Sequence, residues 1–314
     1  MNYHIDIYSE KTKREWDEFV GLAVNSHFLF YRDYMEYHAD RFHDYSLVIR
    51  KKPNGQILAV LPACSDGDVL FSHLGLTFGG FLYKSDMSTI TMLEILDDVR
   101  EFLKEHDFKE LYIKAIPHIY RQGLAEEDLY ALFRNNAELY RVDVCSALDY
   151  RAPAAKSRIF KRNAKKGLES GLSLREMTDY RAFMDIVAEC LRNKYDTKPT
   201  HTAEELEYLS SKFPKNIELL GAFLGDELVA GAIIYKHNWV ATLQYAFASE
   251  KGKELGSLQY LVDELISRYD GDFKYFVYGI STEDNGRYLN ENLIRTKEYS
   301  GCRAVAYQFF KLVI

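Results

Sequence analysis

The order of predicted elements in the first half of the chain is repeated in the second half. In each half, helices are followed by a hairpin of two strands, a third strand, an amphipathic helix and a further strand. The hairpins are similar in pattern, since residues 54–60 (NGQILAV) resemble residues 225–231 (GDELVAG). A chain of 314 residues is long enough to bury two cores. We therefore expect an α/β protein with α+β mixed sheets, folded as two similar domains at residues 1–150 and 151–314.

In the first half, apolar periodicity predicts helices alternating with short strands. The helices are expected near residues 16–24, 31–41, 92–103 and 128–134, and the strands at 45–51, 56–63, 69–72, 111–115 and 139–145. The third helix has the clearest pattern, because Met92, Leu96, Val99 and Leu103 lie on one helical face. Between the first two strands, residues 53–55 (PNG) favour a tight turn.

In the second half, the same patterns predict strands at residues 172–177, 217–224, 227–235 and 239–248. Helices are expected at residues 180–195 and 203–213, and a third helix is indicated by the apolar series from Leu258 to Ile266. The boundary between the two domains is expected near residues 150–154, where Pro153 interrupts the periodicity.

The stretch from residue 274 to 304 combines a buried strand with a polar turn. Residues 275–278 are the expected strand, and the polar turn over residues 279–286 is expected to lead directly into a helix. Ser281, Thr282 and Asp284 are candidate caps for that helix, and Gly301 suits the left-handed position that ends it. Such an arrangement places polar groups at the end of a strand, where open α/β folds bind ligands. An ordinary capped turn without chemistry has the same pattern.

Positive charge is concentrated in one segment at the start of the second domain. The chain has a net charge of −7, yet residues 151–175 contain eight basic residues against one acidic residue, which gives that segment +7. Arg158, Arg162 and Lys165 recur at helical spacing and form a cationic stripe. Such a stripe suits a phosphate-bearing ligand such as a nucleotide-sugar, a coenzyme or RNA. A solvated helix between two domains is the alternative explanation.

Several classes of protein are disfavoured by the sequence. The four cysteines, Cys64, Cys145, Cys190 and Cys302, show no C-x-x-C spacing, and the nine histidines include no H-E-x-x-H motif, so no metal site is expected. No apolar run approaches the roughly 20 residues of a membrane-spanning helix, and the N-terminus resembles neither a signal nor a transit peptide. We therefore expect a cytoplasmic protein without an integral membrane segment.

The order of elements resembles the GNAT (N-acetyltransferase) fold, and the tandem arrangement is similar to the FemABX-like branch of that superfamily. The resemblance extends along nearly the whole chain. It includes Trp16-Asp17 with Phe19, residues 42–47 (FHDYSL), residues 72–80 (SHLGLTFGG), the basic helix and residues 279–290 (GISTEDNGRYLN). It implies the transfer of an acyl group to an amine.

The GNAT resemblance also implies a donor and a place for it. In GNAT enzymes, acetyl-CoA or another acyl-CoA lies between two parted strands, with its pyrophosphate on the N–H groups of a loop before a helix. The corresponding residues here are Lys251, Gly252, Lys253, Gly256 and Ser257. Glu254 stands where GNAT loops have their first glycine.

The FemABX resemblance implies a different donor, aminoacyl-tRNA, and a peptidoglycan precursor as the acceptor. These enzymes carry an F-K-x-x-F-G segment with a lysine near the reacting groups. Residues 296–301 (TKEYSG) are the nearest match and nominate Lys297, although Thr296 and Ser300 depart from the pattern. The acceptor stays open between a small molecule such as an amino sugar, a peptide and a cell-wall precursor.

Amine acylation needs groups that move protons. An ammonium must lose a proton before it attacks, and a leaving group must gain one. Glu283, at the end of its strand, is the candidate base, and Tyr288, expected one turn into the following helix, is the candidate acid. Tyr34, Tyr37, Tyr245 and Tyr288 could line a sugar-sized cleft, although most aromatic residues lie in cores.

Two other functions remain open. One is a binding protein that keeps the fold without turnover, which Glu254 would suit. The other is a nucleic-acid-binding module that uses the basic helix.

Overall fold

The computed structural model describes residues 2–195 and 199–314, and the chain divides into two compact units. The first unit comprises Met1–Asp143, Asn285–Arg287 and Ala306–Ile314, and the second comprises Val144–Asp284 and Tyr288–Val305. The C-terminal residues are thus grouped with the first unit, whereas the division made from the sequence assigned them to the second domain. The domain limits of 1–150 and 151–314 stay a prediction.

The first unit is built from short strands and helices. In chain order they are β1 (Tyr3–Ile7), α1 (Lys13–Leu22), α2 (Arg32–Met35), β2 (His43–Asp44), β3 (Leu47–Lys51), β4 (Ile57–Leu61), β5 (Cys64–Asp66), β6 (Val69–Phe71), β7 (Leu82–Tyr83), α3 (Thr89–Glu105), β8 (Glu110–Lys114) and α4 (Glu127–Arg134). The chain then passes into the second unit within β9 (Glu138–Asp149).

The strands of the first unit form two groups. One is the antiparallel order β1-β3-β4-β7, which contains the predicted hairpin β3–β4. In the other group, β5 pairs with β2 and β6, and β6 pairs in parallel with β8. The predicted apolar face of α3 is confirmed, because Met92, Leu96, Val99 and Leu103 are all buried in the core of this unit.

Two features of the first unit differ from the expectations. β1 was not predicted, although Tyr3 and Ile5 are buried while His4 between them is exposed, which is the alternation of a strand. The helix expected over residues 31–41 is only the short helix α2, flanked by 3₁₀ turns. Here the buried Arg32 guanidinium stacks over Tyr8 and pairs with Asp44, so tertiary contacts override the helical periodicity of the segment.

The second unit has longer elements. In chain order they are α5 (Arg158–Glu169), β10 (Leu172–Met177), α6 (Tyr180–Tyr195), α7 (Ala203–Lys212), β11 (Ile217–Leu224), β12 (Glu227–His237), β13 (Val240–Ala248), α8 (Glu250–Leu255), α9 (Ser257–Arg268), β14 (Tyr275–Ile280), β15 (Thr282–Glu283), β16 (Tyr288–Leu289), α10 (Glu291–Glu298) and β17 (Arg303–Val313), in which the chain returns to the first unit. The predicted limits of β10, α6 and β11 are confirmed.

The sheet of the second unit has the order β10-β11-β12-β13-β14-β9. Every neighbouring pair is antiparallel except β13 and β14, which run parallel and are joined through α8 and α9. The apolar face of α9 lies in the core of this unit. α5 packs closely on α9, since a Cβ added at Gly167 would lie 2.6 Å from the Cβ of Tyr260. α5 therefore buries one face and leaves its basic face exposed.

The stretch after β14 differs from the expected strand, turn and helix. Asp284, Asn285 and Gly286 all have positive φ, and β15 pairs with β16 as a small ribbon. The helix α10 begins only at Glu291, and its cap is Asn290, whose side chain accepts a hydrogen bond from the backbone at 3.1 Å. The predicted caps Ser281, Thr282 and Asp284 were therefore wrong, since all three precede the second strand of this ribbon. Gly301 does have the predicted left-handed conformation, with φ of 98°.

Candidate active site

The parallel strand pair of the second unit opens after a few residues. β13 and β14 are paired at Val240–Thr242 and Tyr275–Val277, and no further pairing continues along the described parts of these strands. Each strand has an irregularity near the opening: the β12–β13 register shifts around Gln244, and the β14–β9 register shifts around Tyr278. Bulges re-aim side chains and end strand pairing, and they are common beside active sites.

A cavity of about 530 Å³ lies at this opening, and we call it the strand cavity. Its walls come from residues 243–247 of β13, the first turns of α9, the end of β14, and α10. Phe160, on the buried face of α5, also lines it. The lining is mostly apolar with a few polar side chains, which is the usual composition of a pocket for a small organic group.

Lys297 supplies an ammonium group to the strand cavity. The residue is only 7% exposed, and Nζ donates hydrogen bonds to the carbonyl oxygens of Gly279 at 3.0 Å and Ile280 at 2.6 Å. Both carbonyls lie at the end of β14, so the strand end holds the ammonium in place. The resemblance that nominated Lys297 therefore points to a residue that lines a cavity.

Burial changes the acidity of Lys297. Removal from water disfavours the charged ammonium and lowers the pKa of Lys297 to about 8, while Cys145 and Cys302 act in the opposite direction to a smaller extent. Burial also raises the pKa of Cys302 to about 12, so this thiol stays neutral. Near neutral pH, Lys297 is thus charged in large part but releases its proton more readily than an exposed lysine.

Tyr278 is a second polar group of the strand cavity. Its hydroxyl oxygen is buried and has no hydrogen-bond partner among the described residues. Ser300 lies near enough to lower the pKa of this phenol slightly, but the Ser300 hydroxyl donates instead to the Lys297 carbonyl at 2.7 Å. Burial dominates and raises the pKa of Tyr278 well above its ordinary value, so the phenol is neutral. An unpartnered buried hydroxyl carries a free-energy cost.

Tyr245 connects the strand cavity with a neighbouring cavity. Its hydroxyl lies 2.7 Å from Nδ1 of His201, a residue that is 5% exposed. His201 lines a separate cavity of about 620 Å³ bounded by α6 and the start of α7, which we call the helix cavity. Pro199 lines both cavities. No sequence motif surrounds His201, so only the folded chain reveals its position.

The four tyrosines expected in a cleft are distributed differently. Tyr245 lines the strand cavity, whereas Tyr288 does not. Tyr34 and Tyr37 belong to the first unit, where they contact each other edge to face. Tyr278, which lines the strand cavity, was assigned from the sequence only to a buried strand.

The residues predicted to hold a pyrophosphate do not form an open loop. Residues 250–255 are the helix α8, in which the N–H of Gly252 donates to Ser249 Oγ at 3.1 Å. Lys251 pairs with Glu227, and Lys253 pairs with Glu250 at 2.5 Å. A Cβ added at Gly252 would lie 2.1 Å from a backbone carbonyl oxygen of β12. The glycine thus serves close packing, and the two lysines already have acidic partners.

The start of α9 has an unpartnered polar group. Gly256 has a left-handed conformation, and Ser257 has a buried hydroxyl with no hydrogen-bond partner in the described chain. The first N–H groups of a helix lack partners within the helix and attract anions. Leu258 and Gln259, in the same turn, line the strand cavity. Gly256 and Ser257 thus lie in the turn that precedes two residues of the cavity lining, and Ser257 itself is buried.

The predicted cationic stripe lies on the exposed face of α5. Arg158, Arg162 and Lys165 are all exposed, and Lys165 pairs with Glu169 at 3.3 Å. Because Phe160 of the same helix lines the strand cavity, the stripe belongs to a helix that borders this cavity.

The candidate base and acid from the sequence lie together, but away from the strand cavity. Glu283 and Tyr288 face each other across the β15–β16 ribbon, and both are exposed. Glu283 Oε1 accepts a hydrogen bond from Asn290 Nδ2 at 2.9 Å. Neither Glu283 nor Tyr288 is among the residues lining the strand cavity. Tyr288 lies in a strand, so the expectation that it lies in a helix was wrong.

The described residues contain neither a metal-binding cluster nor a membrane-spanning helix. Within 2–195 and 199–314, no group of three or more His, Cys, Asp or Glu side chains is placed to hold a metal ion. Among the helices of the same ranges, none is both long enough and apolar enough to cross a bilayer.

Comparison with known sequences gives no family for this chain. No protein-family model matches it, and no curated protein matches it.

Solved structures, in contrast, resemble the chain along almost its whole length. FemX aligns with a TM-score of 0.70 at 9% identity, over 99% of this chain and 97% of FemX. L-PGS from Bacillus licheniformis aligns with a TM-score of 0.61 at 10% identity, over 97% and 91% of the two chains. A tandem GNAT protein from the clavulanic acid biosynthesis pathway aligns with a TM-score of 0.52 at 12% identity, over 99% and 98%. The predicted FemABX-like tandem GNAT fold is therefore confirmed.

Proposed function

We propose that this chain is an acyltransferase, which moves an acyl or aminoacyl group from a phosphate-bearing donor to an amine at the strand cavity. The observation that carries the proposal is a buried lysine at the opening between two parted parallel strands. The FemABX-like tandem GNAT fold supports the same chemistry.

Lys297 suits the leaving-group step of such a transfer. Attack by the amine forms a C–N bond and places negative charge on the acyl oxygen. Collapse of this intermediate breaks the bond to the donor's oxygen or sulfur, which then needs a proton. With its pKa lowered to about 8 by burial, Lys297 can stabilise the negative charge and supply that proton.

The donor carries phosphate, and two sources are compatible with the site. Gly256 and Ser257 at the start of α9 would receive a phosphate of acyl-CoA, whereas the basic face of α5 suits the backbone of aminoacyl-tRNA. The burial of Gly252 against the backbone of β12 weighs against a pyrophosphate at α8. These observations support aminoacyl-tRNA as the donor.

For the acceptor, we propose an amine on a peptide, an amino sugar or a cell-wall precursor, modified in the cytoplasm. Glu283 and Tyr288 were predicted as the catalytic base and acid. We now propose that they contact this acceptor, because their exposed ribbon follows directly on the strand whose end holds Lys297. Since they do not line the strand cavity, we assign the proton transfers inside it to other residues.

The test combines donor binding with transfer. Thermal melts of the purified chain with acetyl-CoA, free CoA and alanyl-tRNA measure binding, because a ligand at 100 times its Kd adds about 2.7 kcal/mol to the free energy of unfolding. Transfer is then measured from each radiolabelled donor to amine acceptors. We expect an upward shift and transfer with alanyl-tRNA. A shift and transfer with acetyl-CoA alone would make the donor a thioester.

A binding protein without turnover is the second candidate. It is favoured by Glu254, which stands in α8 where GNAT loops have their first glycine, and by the burial of Gly252 against β12. In that case a donor would still raise the thermal midpoint, but no acceptor would be modified. The absence of both binding and transfer with either donor would contradict the acyltransferase proposal.

A further inference from the structure

The His201–Tyr245 pair joins two cavities of the second unit. Tyr245 lines the strand cavity, His201 lines the helix cavity, and the Tyr245 hydroxyl and His201 Nδ1 are 2.7 Å apart. His201 is 5% exposed, so the contact is shielded from bulk water at the imidazole end. A buried chain of two groups that can each give and take a proton thus runs from one cavity to the other.

The helix cavity carries charges of both signs. Arg181 and Arg192 line it from α6, together with Asp185 of that helix and Glu204 of α7. Arg181 and Glu204 form an exposed ion pair at 2.6 Å, which can exchange for contacts with a ligand at little cost. A cavity with two guanidinium groups and two carboxylates matches a ligand that has both an amine and a carboxylate.

We propose that an acceptor with a free amine and a nearby carboxylate binds with its carboxylate in the helix cavity and its amine beside Tyr245 in the strand cavity, and that Tyr245 and His201 relay the proton from that nitrogen. The relay rests on the acyl transfer proposed for the strand cavity. It adds the class of acceptor and the route of the proton, which the fold alone leaves open.

The relay balances the protons of the reaction. The free amine attacks the acyl carbon, and its nitrogen becomes positively charged as the C–N bond forms. Tyr245 accepts one N–H proton and passes its own hydroxyl proton to Nδ1 of His201, which becomes an imidazolium. When the bond to the donor breaks, the leaving oxygen or sulfur takes a proton from Lys297. His201 then returns its proton to water in the helix cavity, and Lys297 regains one from water.

Histidine is suited to this position because its charge changes near neutral pH. The charged groups that line the helix cavity with His201 are Arg181, Asp185 and Arg192 on α6 and Glu204 on α7, and the charge of Glu205 on α7 acts on Tyr245. Burial raises the pKa of Tyr245, so its phenol passes a proton on and does not hold a negative charge. The relay requires the tautomer of His201 in which Nδ1 accepts the hydrogen bond and Nε2 carries the proton.

The experiment uses four full-length proteins: wild type, His201→Asn, Tyr245→Phe and the double variant. Asn keeps a hydrogen-bonding group near the position of Nδ1 but takes up no proton, and Phe keeps the tyrosine ring. Single-turnover transfer is followed from alanyl-tRNA and from acetyl-CoA to alanyl-lysine, across a range of pH. Alanyl-lysinamide, which has the same amines but no carboxylate, is the matched acceptor. Nitrogen NMR of labelled wild-type protein reports the tautomer of His201.

We expect each single variant to lose about 100-fold in the transfer rate, with donor binding unchanged in thermal melts. The double variant should lose no more than either single variant, because each substitution alone already interrupts the proton relay. At acid pH the rate should fall less steeply in His201→Asn than in the wild type, because only protonation of the acceptor amine then lowers it. Alanyl-lysine should be preferred to alanyl-lysinamide.

Each opposite result overturns a separate part of the inference. A wild-type pH profile in His201→Asn, or a proton on Nδ1 in the NMR spectrum, would overturn the relay while leaving acyl transfer intact. Equal rates with alanyl-lysinamide would overturn the acceptor class. Donor binding without transfer by the wild-type protein would contradict the proposed function itself, and the relay with it.

Discussion

Each unit has a parallel pair of strands with a lysine nearby that binds two backbone carbonyls, but the surroundings of the two lysines differ. In the first unit, β6 and β8 form a parallel pair, and Lys114 at the end of β8 donates hydrogen bonds to the carbonyls of Leu74 at 3.0 Å and Leu76 at 2.8 Å. In the second unit, Lys297 binds the carbonyls of two residues at the end of β14. Burial lowers the pKa of each lysine to about 8.

The two units differ in the segment beyond the parallel strands. In the first unit, the loop after β6 is hydrogen-bonded to the end of β8: Ser72 Oγ accepts from Lys114 N at 2.8 Å, and Gly79 N donates to the Lys114 carbonyl at 2.7 Å. In the second unit, β13 continues past its pairing with β14, and the strand cavity lies there. A lysine that binds two carbonyls therefore occurs in both units: Lys114 is half-buried, whereas Lys297 is 7% exposed and lines the strand cavity.

The largest expected effect separates the two lysines. Lys297→Met should lower the transfer rate about 100-fold or more, because the leaving group loses its proton donor. Lys114→Met is the matched control and should leave the transfer rate within about twofold. Rates from single turnovers, with thermal melts to check folding, decide between them. An equal loss of transfer rate in both variants would mean that the two lysines affect transfer through the stability of the folded protein.

The pH dependence of transfer should follow Lys297. Since the proton donor must be charged, the wild-type rate should fall about tenfold for each pH unit well above pH 8, where Lys297 is neutral. Over the same range the free energy of unfolding should rise toward pH 10.5, because the unfolded chain binds more protons than the folded chain. A transfer rate that is flat from about pH 7 to 10 would remove Lys297 as the proton donor.

A smaller effect is expected on the basic face of α5. Arg162→Glu should raise the KM for alanyl-tRNA about tenfold and leave the KM for acetyl-CoA unchanged, because only the long polyanion reaches an exposed helix face. Lys212→Glu, at the end of α7, is the control for general charge. Salt titration of binding provides the second measurement. An equal increase of KM for both donors would mean that the stripe binds a phosphate group that both donors carry, and not the long polyanion of tRNA.

The exposed ribbon should matter less than the cavity. Glu283→Gln is expected to lower the transfer rate by at most about tenfold, since its carboxylate is exposed and shared with Asn290. Tyr288→Phe serves as the companion variant on the opposite strand, and both rates are measured in single turnovers. A loss as large as that of Lys297→Met would place the reacting amine at the ribbon and not beside Tyr245.

The smallest effect on transfer should come from the loop of the first unit. A Cβ at Gly79 would lie 2.4 Å from the carbonyl oxygen of Ser72, so Gly79→Ala should destabilise the protein by about 1–3 kcal/mol. The transfer rate of the folded fraction should stay unchanged. Chemical unfolding measures the first effect and active-site titration the second. Reduced turnover of the folded fraction would show that the first unit also contributes to the reaction.

The fold class, the repetition and the helices with apolar faces were determined by the sequence, because these features depend on local periodicity. A short segment at the end of α10 also pointed to Lys297. β1 and the ribbon β15–β16 were missed because their strands are short and depend on pairing with distant or reversed segments. The coenzyme loop was expected from the resemblance to GNAT enzymes, yet residues 250–255 form a helix capped by Ser249.

Only the tertiary structure decided which polar groups meet. Lys297, Tyr278 and Tyr245 come from three different elements, and they line one cavity because β13 and β14 part. His201 gains its importance from a contact with Tyr245 across 44 residues of sequence. Periodicity reports which face of an element is buried, whereas the position of a bulge and the burial of a charge depend on neighbours that only the folded chain brings together.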